Sequence, residues 1–161
     1  MGGEPGNCAC MRTKLLHESE GQRTFAVVLA PGEEVTECLL SFARENGIGA
    51  AAVSAIGALR RATVAFYDFE TAEYVPIPLD EQLEVLTLAG DIALGDDDEP
   101  RLHLHAALGK RDGSAWGGHL HEAEVRPTLE AIVTESPPPL RRRVDPGSGL
   151  ALLDLQPEDS G

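Results

Sequence analysis

Leu102-His103-Leu104-His105-Ala106-Ala107-Leu108 is the stretch on which the reading of this chain turns, with Trp116-Gly117-Gly118-His119 a hairpin's length downstream. Side chains of an extended strand alternate faces, so positions i and i+2 point the same way. His103 and His105 therefore stand side by side among small and apolar neighbours. A return through Lys110-Arg-Asp-Gly-Ser114 lays His119 opposite the pair. Three imidazoles converging from two adjacent strands form a facial ligand set. Such a set suits a divalent ion of zinc type and leaves coordination positions open. The competing reading is three unrelated histidines, some bonded to backbone and some facing solvent. Gly117-Gly118 lets the chain bend and another backbone approach closely beside His119. No helix follows the pair, which excludes a phosphate cradle.

Outward from this stretch the chain reads mainly as strands. Thr24–Ala30 is apolar and ends at Pro31-Gly32. Ala51–Ile56 and Arg61–Asp68 are two strand runs with a bend or bulge at Gly57. Glu73–Ile77 is an edge segment limited by prolines, and Glu84–Ala89 is a strand continuing past Gly90 to Leu94. Ala115–Val125 and Thr128–Thr134 are two more, Pro137–Arg143 is an extended link, and Gly149–Leu155 is a last short strand. Glu33–Asn46 is the one convincing helix, with Leu39, Leu40 and Ala43 at helical spacing and Gly47 as its stop. The acidic run Gly95–Pro100 lacks the EF-hand spacing and reads as a solvated turn. The count predicts an α+β fold dominated by a mostly antiparallel sheet. One helix covers only part of such a sheet, so oligomerisation is expected.

With 161 residues there is room for one domain: a disordered tail at 1–11, a domain at 12–155 and a polar tail at 156–161. No apolar run approaches the roughly 20 residues of a membrane span. The N-terminus lacks the regions of a signal peptide, and Gly6 stands where a myristoylation motif wants Ser or Thr. A cytoplasmic protein is expected. Three cysteines, Cys8, Cys10 and Cys38, do not read as a disulfide framework; Cys8-Ala-Cys10 is expected to be inert and Cys38 a small core residue. A net charge of −14 repels phosphate backbones, which disfavours nucleic-acid binding.

The ordered series Gly32-Glu33, Ala55-Ile-Gly57, Glu84-Val-Leu-Thr-Leu-Ala-Gly90, Leu102-His-Leu-His105, Gly117-Gly-His-Leu120 and Val125-Arg-Pro-Thr-Leu-Glu130 resembles the PPC (plants and prokaryotes conserved) domain, also called DUF296. The likeness spans roughly residues 12 to 155. It implies an α+β fold assembled as a homotrimer, with a zinc-type ion (Zn2+ or another divalent transition metal) on His103, His105 and His119. Plant members carry AT-hooks, whose Arg-Gly-Arg core lies in the minor groove. Here Pro139-Leu-Arg-Arg-Arg-Val144 has no central glycine, so DNA binding is not implied. Arg141, Arg142 and Arg143 are expected to pair with acidic surface, within a subunit or across a trimer contact.

Other candidates remain open at this level. Glu84 is either a carboxylate at the site or a surface residue at a strand start. His121 is a possible fourth ligand or supporting donor, but the family position is not a ligand and it is left out of the set. His17 is read as solvated, Arg23 and Arg60 as possible anchors for a small anionic ligand, and Trp116 as a packing residue. Three functions are compatible: a metal-binding ligand or regulatory module, a metal-dependent enzyme on a small carbonyl or carboxylate substrate, and a DNA-associated regulator. The enzyme reading is similar to acetolactate decarboxylase in its three-histidine pattern.

Overall fold

The computed structural model describes residues 8–155, and in them nine strands and one helix form an α+β fold with a mostly antiparallel sheet. The elements are β1 (Arg12–Ser19), β2 (Gln22–Leu29), α1 (Val35–Asn46), β3 (Ala50–Asp68), β4 (Glu73–Leu79), β5 (Leu83–Leu94), β6 (Pro100–Gly109), β7 (Ala115–Glu135), β8 (Arg141–Val144) and β9 (Ala151–Asp154). The sheet runs β1-β2-β7-β3-β5-β8-β9, with β4 on β3 and β6 joining β5 to β7. Because β3 pairs both β5 and β7, the strands β3, β5, β6 and β7 close a circuit.

Two pairs of expected strands are single long ones. β3 runs through Gly57, and the expected bend is absorbed as register shifts against β5 and β7. β7 likewise runs through Pro127, which sits where pairing to β3 lapses between Val125 and Leu129. Proline has no N–H to give a ladder, and at that lapse none is needed.

The core lies inside the circuit and under α1. Leu104, Ala106 and Leu108 of β6 are buried, as are Leu120, Val125 and Leu129 of β7 and Val85, Leu88 and Ile92 of β5. α1 adds Val35, Cys38, Leu39, Phe42 and Ala43, with the Phe42 ring edge-on to Phe25 at 5.2 Å. The helix begins later than expected. Glu34 caps it by accepting from Glu37 N–H, and Gly47 closes it in the left-handed conformation. Glu33 is buried instead, and its carboxylate accepts from Ala30 and Cys10 N–H.

Those bonds bear on the N-terminal segment. Residues 8–11, expected within a disordered tail, lie against the start of α1, and Met11 N–H donates to Cys8 O. Cys8 and Cys38 form a disulfide, which corrects the expectation of unpaired cysteines; Cys10 is free and exposed. The parts of the expected tails at 1–7 and 156–161 lie outside the described residues. Residues 12–19, assigned to no element from sequence, form β1. Part of the expected Pro137–Arg143 link is β8, joined to β5 in parallel at Leu94 and to β9. No helix among the described residues is long and apolar enough to cross a membrane.

Gly90 fixes how closely β5 approaches β6. A Cβ there would stand 1.9 Å from His103 O, a backbone atom that cannot swing aside. Gly90→Ala should therefore cost about 3 kcal/mol or more by forcing the strands apart. At Gly47, nothing lies within 4 Å of an added Cβ, and only the left-handed φ of 63° opposes the change. Gly47→Ala should cost about 1–2 kcal/mol. Denaturant unfolding of the two variants measures the contrast, and equal costs would refute it.

Candidate metal centre

β6 alternates cleanly. With Leu104, Ala106 and Leu108 turned into the core, His103 and His105 face the other way. On β7 the buried Leu120 turns its neighbour His119 to that same outer face. The ladder places His105 directly across from His119. Close approach of backbone on both sides of the glycine pair supports this rung. A Cβ on Gly117 would sit 2.6 Å from Ala106 O, and one on Gly118 would sit 2.6 Å from Ala65 O.

The three expected ligands are thereby brought together. Ring centroids lie 5.1 Å apart for His103–His105, 5.3 Å for His103–His119 and 5.5 Å for His105–His119. One nitrogen from each lies within 4.8 Å of the others. His105 Nε2 and His103 Nε2 stand 3.2 Å apart. Zinc–nitrogen bonds of about 2.0–2.1 Å in tetrahedral geometry put ligand nitrogens roughly 3.3 Å from each other. That pair already fits, and the His119 nitrogen, within 4.8 Å of the others, needs to close by at most about 1.5 Å. His119 Nδ1 is buried without a hydrogen-bond partner.

Protonation favours the same chemistry. Burial, then the neighbouring His103, His105, His121 and Arg142, push His119 from 6.5 down to about 4. His103 is also lowered, first by burial and then by Arg142 and His105, with Asp91 opposing. Both rings are neutral near pH 7 and keep lone pairs for a cation.

Beside the rings lies a cavity of about 600 Å³, lined among others by His103, His119, Tyr74, Arg142, Leu150 and Leu152. Tyr74 packs on His119 with centroids 4.8 Å apart. Asp91 and Arg142 were not singled out as site residues from sequence. Asp91 is the cross-strand partner of His103, and Arg142 Nη2 lies 3.0 Å from His103 Nδ1. A carboxylate directly across a strand from a paired histidine was a readable signal for Asp91. Nothing in the sequence tied Arg142 to it.

The remaining candidates fall elsewhere. Glu84 is exposed and pairs with Gly109, five residues along β5 from Ala89, the partner of His105; that is about 16 Å of strand. It is not a site carboxylate. His121 has no partner on β3, since Thr63 pairs with Glu122 and Val64 with Leu120. This bulge leaves it exposed and outside the three-nitrogen cluster. Arg23 bonds Glu135 and Asn46 O, and Arg60 pairs with Glu124, so neither anchors a ligand at this site. Trp116 sits 46% exposed under Lys110 Nζ, away from the rings, and His17 is exposed on β1. The arginine run is consumed by carboxylates, as expected: Arg141 by Asp98, Arg142 by Asp91 and Arg143 by Asp154.

Comparison with known proteins agrees with this arrangement. A metal-containing protein from Archaeoglobus fulgidus is 37% identical, with 89% of this chain and 96% of that one covered at a TM-score of 0.76. A plant- and prokaryote-conserved (PPC) protein from Pyrococcus horikoshii is 32% identical, covering 84% and 94% at 0.78. A protein from Bacteroides thetaiotaomicron, named as a candidate DNA-binding protein, reaches 0.81 at 28% identity, covering 89% and 96%. The curated relative "Bifunctional protein GlmU" of Synechococcus sp. (strain JA-3-3Ab) is 32% identical over 158 residues, 96% of this chain but only 24% of its own length. The model of the Plants and Prokaryotes Conserved (PCC) domain matches residues 16–137, and the chain belongs to that family.

Proposed function

We propose that the protein is a homotrimeric metal-binding module in which His103, His105 and His119 of each chain hold one divalent transition-metal ion of zinc type. The carrying observation is the His105–His119 rung, with His103 two residues away on the same face and one nitrogen of each ring within 4.8 Å of the others. Three protein ligands would leave positions open, and His103 and His119 also line the cavity that Tyr74, Leu150 and Leu152 help to form. A small ligand taken there would meet the ion at one end and apolar wall at the other.

An enzymatic use of the same ion is the second reading, favoured by that cavity. Bound metal would polarise a carbonyl or carboxylate as a Lewis acid. Glu84 is too distant to serve as its acid or base; Asp91 lies across the strand from His103, and Asp96 and Asp97 line the cavity. A DNA-associated role has less support, because the net charge is −14 and each of Arg141, Arg142 and Arg143 is paired with a carboxylate. The trimer is supported by large apolar residues on neighbouring strands, including Ile56 at 61%, Leu86 at 56% and Ile132 at 45% exposure.

Elemental analysis should find about one zinc-type ion per chain after zinc is supplied. His119→Ala should weaken that binding by roughly 100-fold or more, since even supporting residues of metal sites cost 10–100-fold. Protein that stays metal-free under saturating zinc would end the reading. Light scattering should give three times the 17.1 kDa chain mass; a particle of one chain would remove the trimer.

Stability should follow pH in a defined window. His119 titrates near 4 in the folded chain and near 6.5 when unfolded, so between these values the unfolded state binds more protons. The His119 contribution to the stability of chelator-treated protein should be lost as pH falls from about 6.5 to 4 and level out below. His119→Asn should flatten that slope in denaturant titrations, and an unchanged slope would contradict the assignment.

A further inference from the structure

We propose that Asp91 and Arg142 control which nitrogen of His103 carries its hydrogen, and so couple cation binding to the β8–β9 hairpin. This rests on the reading of His103, His105 and His119 as ion ligands. A guanidinium has N–H donors and no acceptor. Arg142 Nη2 lies 3.0 Å from His103 Nδ1, so with that contact made Nδ1 presents its lone pair and the neutral ring carries hydrogen on Nε2. Nε2 lies 3.2 Å from His105 Nε2, which accepts. The same Nη2 donates to both oxygens of Asp91, at 2.8 and 2.7 Å.

A cation shared with His105 is taken through the nitrogen facing His105, His103 Nε2. The hydrogen then resides on Nδ1, with no change in the ring's charge. N–H now faces N–H across the Arg142 contact, so that contact and the cation exclude one another. Asp91 is the acceptor we assign to the Nδ1 hydrogen, since its oxygens and Nδ1 contact the same Nη2 and it pairs with His103 across the strands. A carboxylate behind a ligating imidazole fixes the ring and raises its basicity.

Arg142 carries the change outward. It is 7% exposed, and its Nη1 donates to Ala151 O on β9 at 2.9 Å. Its Nε is buried without a partner, so the guanidinium has an unused donor when it shifts. Its withdrawal from His103 moves a side chain that lines the 600 Å³ cavity. Asp91 and Arg142 are positioning residues. Arg142 lies beyond residues 16–137, the part that the family's model matches.

The test compares chelator-treated and zinc-loaded protein by ¹⁵N imidazole spectroscopy, then measures zinc affinity of two variants. His103 should carry its hydrogen on Nε2 before loading and on Nδ1 after. Asp91→Ala should weaken zinc binding by 10–100-fold, the usual cost of losing such a supporting acceptor. Arg142→Gln, whose amide oxygen can itself accept from Nδ1, should bind zinc as tightly as the wild type or more so. A strut-like ion pair would predict equal losses in both. Equal losses, or a His103 hydrogen already on Nδ1 in chelator-treated wild type, would overturn the proposal. The spectroscopic arm uses only wild-type protein and decides the matter even if a variant fails to fold. Wild type that takes up no zinc would instead remove the metal reading beneath it.

Discussion

The rung that sets His105 of β6 against His119 of β7 is the constraint on which the rest depends. Its register is held on both sides of the sheet. Inward, Leu104, Ala106 and Leu120 must reach the core, and a slip of one residue would drive them into solvent and the imidazoles into apolar packing. Burying an unpaired imidazole in the core costs far more than exposing one leucine. In the plane of the sheet, Gly90, Gly117 and Gly118 admit neighbouring carbonyl oxygens where any side chain would collide. Core burial and strand proximity thus select one alignment, and the histidine cluster is its by-product on the outer face.

That face has a charge logic of its own. The chain carries −14, yet the groups around the rings are balanced: Asp91 by Arg142, Asp97 by Arg101 and Asp98 by Arg141. Asp96, on the wall of the adjoining cavity, adds to these pairs, and the acidity farther off acts on a cation only as a screened, long-range field. Lone-pair availability at the site comes from burial, the first cause of the low His119 and His103 values. Half-burying His103 and His119 side by side keeps both neutral, because neither can gain a proton without desolvated charge and repulsion from its neighbours.

What was legible in the sequence followed burial. β6 alternates apolar and polar residues, α1 repeats every three to four, and both could be read from pattern alone. β1 could not, because all eight of its residues are exposed; it exists through backbone pairing to β2, which leaves no trace in hydropathy. The Cys8–Cys38 link was hidden for another reason. It joins a segment that Glu33 holds against α1 through Cys10 N–H, a local contact that no periodicity encodes. The three histidines were legible because a hairpin-length gap and two-residue spacing suffice to converge them. Asp91 was within reach of the same pairing logic, one strand over from His103, whereas Arg142 comes from far along the chain and only the fold unites it with them.

The number of ligands on offer turns on one irregularity. A regular β7 would have carried His121 on the same face as His119, giving four imidazoles and the closed coordination of a structural zinc site. The bulge opposite Thr63 and Val64 leaves His121 without a β3 partner and outside the three-nitrogen group, its ring centroid 5.7 Å from that of His119. Tyr74 spans the gap instead, its ring 4.8 Å from that of His119 and 5.8 Å from that of His121. In the proposed metal site, three imidazoles beside a lined cavity leave part of the coordination to a group from outside the set. One inserted residue thus leaves the cluster on this face with three imidazoles and not four.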